Sequence, residues 1–160
     1  PSSVGMWAGS FAESLLDECL GFCGKNKNIR AEDVEKLLGV IEISHISKFV
    51  DLLLEKNAKD AILFIDSLID GGVDIHEFAK TLVFYLREAL LTKINPDFLK
   101  PELTGLSQEE TEKLKLQTSK LSEKEIQKIL ELFIDAENKI KYASITQLPI
   151  ELAIVDIVNP

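Results

Sequence analysis

A chain of 160 residues with 46% hydrophobic and 28% charged side chains, and only 5 prolines and 8 glycines, can bury a real core and lacks the composition of a disordered segment. Its formal charge of -9 argues against the clustered Lys and Arg that grip phosphate backbones, so any nucleic-acid role would be indirect. No apolar run approaches the roughly 18 residues that span a bilayer and no secretory leader is visible, which predicts a cytoplasmic protein without membrane contact.

Pro1 to Gly9 has no periodicity and ends in Gly9-Ser10, a pairing common at expression-vector junctions. Residues 1–9 are therefore read as a leader or a disordered segment, and 10–160 as a single α-helical domain. Ser10 with Glu13 forms a capping box for a first helix whose stripe is Ala12, Leu15, Leu16, Cys19 and Cys23, closed by Gly24. Cys19 and Cys23 share that apolar face and have no second pair or nearby His, so they read as buried reduced thiols rather than metal ligands. A short second helix, Ala31 to Leu38, is acidic at its start and stops at Gly39.

Ser44 is the expected cap of the next helix, in which Ile46, Phe49, Val50, Leu53 and Leu54 keep helical spacing. Another begins near Ala58, carries Ala61, Phe64, Ile65, Leu68 and Ile69, and ends at Gly71-Gly72. The tight join predicts an antiparallel hairpin. Asp74 with Glu77 makes a second capping box, opening a helix to about Ile94. Its apolar stripe includes Ile75, Phe78, Leu82 and Leu86, and Val83, Phe84 and Leu91 give it a second apolar side, as suits a central strut.

Residues 95–106, with two prolines and a glycine, are the one real break, read as a surface crossing or a mobile loop. Ser107 with Glu110 caps a polar helix, and Ser122 with Glu125 caps an amphipathic one bearing Ile126, Ile129, Leu130, Phe133 and Ile140. From Leu148 only Glu151 and Asp156 interrupt the apolar residues before Asn159. That segment is rich in Ile and Val and a buried strand fits its propensity. A helix is favoured because a lone strand would have no partner in an otherwise helical chain. Its apolar residues are either buried within the domain or completed by another subunit.

No phosphate-binding G-x-x-x-x-G-K-[ST], dinucleotide G-x-G-x-x-G or nucleophile-elbow G-x-S-x-G occurs. His45 and His76 fall in first turns and read as solvent-facing rather than catalytic. No catalytic, cofactor-binding or metal-binding residue is assigned. Glu137 is in phase with the apolar stripe and Glu151 lies in the apolar segment, so each needs a partner. That partner is either a cation or helix end of the same domain, or a group across a subunit interface. An enzyme using these two as acid and base lacks a nucleophile, metal set or cofactor loop.

The order Glu13 to Glu18 (ESLLDE), Ile29 to Gly39 (IRAEDVEKLLG), the paired helices ending in Gly71-Gly72, and Asp74 to Leu91 (DIHEFAKTLVFYLREALL) resembles the tau/gamma subunit of bacterial DNA polymerase III. Glu125 to Ser144 followed by Leu148 to Val158 is similar to the end of that family's third domain, with Glu137 and Glu151 where the family usually has glutamate. The family's nucleotide-sensing arginine has Ser10 in its place, and its usual Asn-Pro-Arg before the last helix is Ile145-Thr146-Gln147.

The resemblance implies an all-α bundle of about seven to eight helices, a clamp-loader collar. Such a collar assembles subunits into a ring for sliding-clamp loading in DNA replication, without catalysis of its own. ATP and zinc would belong to upstream domains. Partners would be further copies and other clamp-loader subunits, with no direct nucleic acid. The interface is expected on outer faces around Tyr85, Phe133, Glu137, Tyr142, Ile150, Glu151 and Ile154. The alternative is a helical adaptor that takes a partner peptide or helix in a groove.

Overall fold

Every regular element in the described residues, 41–160 of the computed structural model, is helical. The helices expected over 10–24 and 31–38, with Cys19 and Cys23, lie outside the described residues. The order is α1 (Ile43–Leu54), α2 (Ala58–Asp70), α3 (Ile75–Ile94), a 3-10 turn (Pro96–Phe98), α4 (Pro101–Thr104), α5 (Gln108–Ser119), α6 (Glu123–Ile140) and α7 (Leu148–Val158).

Local chemistry sets most of these boundaries. Asn57 caps α2 by accepting from the Asp60 amide, and Asp74 caps α3 by accepting from the amides of His76 and Glu77. At Asp74 the second half of the expected box is missing, because the Glu77 carboxylate turns to Lys80 at 3.1 Å. Ser107 and Glu110 form the full reciprocal box on α5. Ser44 is not a cap: α1 starts two residues earlier than that, with Glu42 in the cap position, and the Ser44 hydroxyl donates to the Glu42 carboxylate at 3.0 Å.

Two helices end in the same left-handed motif. After α2, Gly72 has φ +95°, its amide donates to the Ile69 carbonyl and the Val73 amide to that of Leu68. After α1 the equivalent position is Lys56, at φ +59°, with its amide on Leu53 and the Asn57 amide on Leu52. The 95–106 stretch is more regular than a plain crossing. It holds the 3-10 turn and α4, and Leu99 and Leu106 anchor it in the core.

The strut expected of Ile75–Ile94 is present: α3 runs 20 residues, about 30 Å, and packs along α6 and against α1 and α5. Phe49 of α1, Phe78 of α3 and Phe133 of α6 meet edge to face, with ring centroids 5.3 and 5.8 Å apart for the two pairs that share Phe49. The 148–158 segment is a helix, seated against α6, α2 and α1, with Pro149 in its first turn. Its other end of support is the Gln147 amide, which donates to Asp66 of α2 at 3.2 Å.

Candidate interface on the last two helices

Helix α7 has two apolar faces with different fates. Ile150, Ala153, Ile154 and Ile157 are buried, whereas Leu148, Leu152 and Val155, spaced i, i+4, i+7, are 41–57% exposed. One face thus completes this chain's core, and the other is left open. The open face continues onto the turn before it. Tyr142 and Leu148 with Leu152 line one shallow depression of about 370 Å³, and Ile145 projects from the connecting turn. Tyr142, at 88% exposed, is the most prominent aromatic of the described residues.

Of the seven residues expected at an interface, four lie elsewhere. Tyr85, Phe133, Ile150 and Ile154 are buried within the chain, so they are not on outer faces. All four keep the phase of core positions in their own helices, which is why they are covered by their own chain. Tyr142 alone of the seven is openly exposed. Leu148, Leu152 and Val155 are not among the seven, although their i, i+4, i+7 pattern marks a second face.

The two glutamates resolve differently. Glu137 meets His76 at 3.0 Å, so its partner is on the same chain, in the first turn of α3. His76 is correspondingly half-buried rather than facing solvent. Glu151 is half-buried in the first turn of α7, where a carboxylate faces the positive end of the helix dipole, and among the described residues no cation pairs with it.

Behind these surfaces lies a polar cluster that periodicity does not reveal. Ser47 of α1 donates to the Tyr85 hydroxyl at 3.2 Å, and that hydroxyl donates to the side-chain carbonyl of Gln117 on α5. The Gln117 amide donates to the Ser47 carbonyl at 2.8 Å and to Asp51 at 2.7 Å, and Lys113 pairs with Asp51 at 3.1 Å. Burial pushes the Tyr85 hydroxyl up from its ordinary 10.0 to about 12; Asp51 and Glu110 add to this and the Ser47 bond opposes it. With the Tyr85 phenol neutral at physiological pH, this cluster joins three helices. It is structural, and it offers no free acid or base.

Among the described residues, no group of acidic, His or Cys side chains is arranged to hold a metal ion and no helix is long and apolar enough to cross a membrane.

Comparison with known proteins agrees with this architecture. The chain is 32% identical over 85 residues to DNA polymerase III subunit tau of Bacillus subtilis (strain 168), a match that takes in 53% of this chain and 15% of that one. The chain thus corresponds to a small part of that relative's length. The fold resembles the Bacillus subtilis DNA clamp loader delta protein (YqeN), with a TM-score of 0.62 over 90% of this chain and 44% of that one; at 15% identity this is a likeness of fold. Residues 29–159 match the family model of DNA polymerase III subunits gamma and tau domain III, and the chain belongs to that family.

Proposed function

We propose that this domain is a non-catalytic assembly module of the DNA polymerase III clamp loader. It joins its parent chain to further copies and to other clamp-loader subunits, in the ring that loads sliding clamps during replication in the bacterial cytoplasm. The observation that carries this reading is the open apolar face of Tyr142, Leu148, Leu152 and Val155, on a domain of the gamma and tau family. A contiguous apolar face with polar surroundings is the ordinary mark of a protein contact. Closed rings arise when such faces repeat head to tail. ATP and zinc belong, in this proposal, to domains upstream in the parent chain. The charge of -9 supports contact with proteins rather than directly with DNA.

The test is light scattering on the full chain up to high micromolar concentration, alone and with a clamp-loader delta subunit. The wild-type chain is expected to form larger species in at least one of these conditions. Tyr142→Glu with Leu152→Glu, both at exposed positions, should abolish them with the helical circular dichroism unchanged. A wild-type chain that stays monomeric in both conditions overturns the assembly role of this face.

A further inference from the structure

A second surface, independent of the assembly face, carries a different charge from the rest of the chain. The ends of α1, α5 and α7 converge on the start of α6 around a groove of about 360 Å³. Its floor is apolar, built from Leu53, Leu54, Leu121, Ile129 and Ile157. Lys56, Lys120 and Lys128 line it, against one side-chain carboxylate, Glu125, and Pro160 lies at its edge. In a chain of net charge -9 this is a local reversal of sign. None of the three lysines is ion-paired among the described residues. The groove shares no lining residue with the depression at Tyr142.

Lys56 adds an observation of another kind. It occupies the left-handed position that ends α1, where a side chain is strained and glycine is the usual solution, as Gly72 is after α2. A lysine kept in that conformation at the rim of a lysine-lined groove places its charge there at the expense of backbone comfort.

We propose that this groove receives a short acidic amphipathic helix of a partner protein. Large apolar side chains of that helix, one turn apart, occupy the floor, and carboxylates on its flanks meet Lys56, Lys120 and Lys128. The apolar floor suits leucine- or phenylalanine-sized anchors in the manner of a helix laid in a groove. The volume accommodates one or two such side chains, within the range of small binding sites. Charges at the rim select the sign of the partner.

The experiment uses the full chain and a labelled amphipathic peptide of about four helical turns, with leucines at i, i+3, i+4 and i+7 and glutamates elsewhere. Its counterpart has lysine for every glutamate. The acidic peptide should bind, more weakly as salt rises, with amide chemical shifts moving at Leu54, Leu121 and Ile129. Lys120→Glu with Lys128→Glu, both exposed, should weaken binding about tenfold. Lys56→Gly should weaken it while raising Tm by about 4 °C, so that loss of binding is separated from loss of fold. Absence of binding, equal binding of the lysine peptide, or shifts confined to the Tyr142 face would each overturn the proposal. So would a wild-type dimer that Lys128→Glu dissolves, because the occupant would then be a second copy of the chain. A monomeric wild-type chain that binds the acidic peptide in this groove sustains it whatever becomes of the assembly face.

Discussion

Tyr85 shows how far a single side chain can depart from what its spacing suggests. Its position in α3 marks an apolar face, yet its hydroxyl is held by Ser47 and Gln117 inside the bundle. Tyr85→Phe leaves the Gln117 carbonyl without that donor, and should cost about 1–3 kcal/mol in urea unfolding. Because its folded-state pKa is raised to about 12, the neutral phenol stabilises the fold fully below pH 10, and that contribution is lost as pH rises from 10 to 12. The loss amounts to about 3 kcal/mol at most. Lysines titrate in the same range, so the measurement is the difference in slope between wild type and Tyr85→Phe, with Tyr85→Phe the flatter of the two. Lys56→Gly is expected to stabilise the fold by about 1 kcal/mol, since relief of the left-handed strain exceeds the added freedom of the unfolded chain. His76→Ala should cost about 1 kcal/mol, because Glu137 would be left half-buried without its partner.

At the scale of elements, caps and stripes were legible, whereas the buried side of α5 and the open side of α7 were not. The boundaries near Asn57, Asp74, Ser107 and Ser122 follow from side chains that satisfy the first amides of a helix, a local chemistry that a sequence displays. Ser44 looked equally suitable, but α1 begins at Ile43 and leaves it inside the helix. Helix α5 is the instructive case, since its polar stripe gave no reason to expect buried positions. Leu114 is its one fully buried apolar side chain, accompanied by Thr111, Gln117 and Thr118. Its partners across α1 and α3 are far away in sequence, and periodicity within one helix carries no information about them. The contrast between the two faces of α7 is directly measurable. Ile154→Ala should destabilise by about 2–4 kcal/mol through the cavity it leaves, whereas Leu152→Ala should change stability by less than about 0.5 kcal/mol. Equal effects would mean that α7 is not seated as described.

For the whole molecule, the all-α class and the long strut α3 were readable from apolar stripes of helical period, whereas the pairing of α3 with α6 was not. The candidate interface was readable only in part. The sequence shows that α7 is apolar all round, but which side meets α6, α2 and α1 depends on the angle at which the turn after Ile140 delivers the helix. Two residues expected on the outer face are therefore inside: Ile150 and Ile154 face inward, and Leu148 and Leu152 face out.

The cluster of Ser47, Tyr85, Gln117 and Asp51 also constrains how the bundle can change over time. Because donors and acceptors match only when α5 sits at one axial position against α1 and α3, the cluster acts as a registration key for an otherwise greasy and forgiving core. A triple replacement, Ser47→Ala with Tyr85→Phe and Gln117→Leu, is expected to melt no lower than the parent. Its amides over 108–119 should nevertheless exchange with deuterium faster, as α5 slides among neighbouring placements of similar energy. Uniqueness, more than stability, is what those four side chains supply.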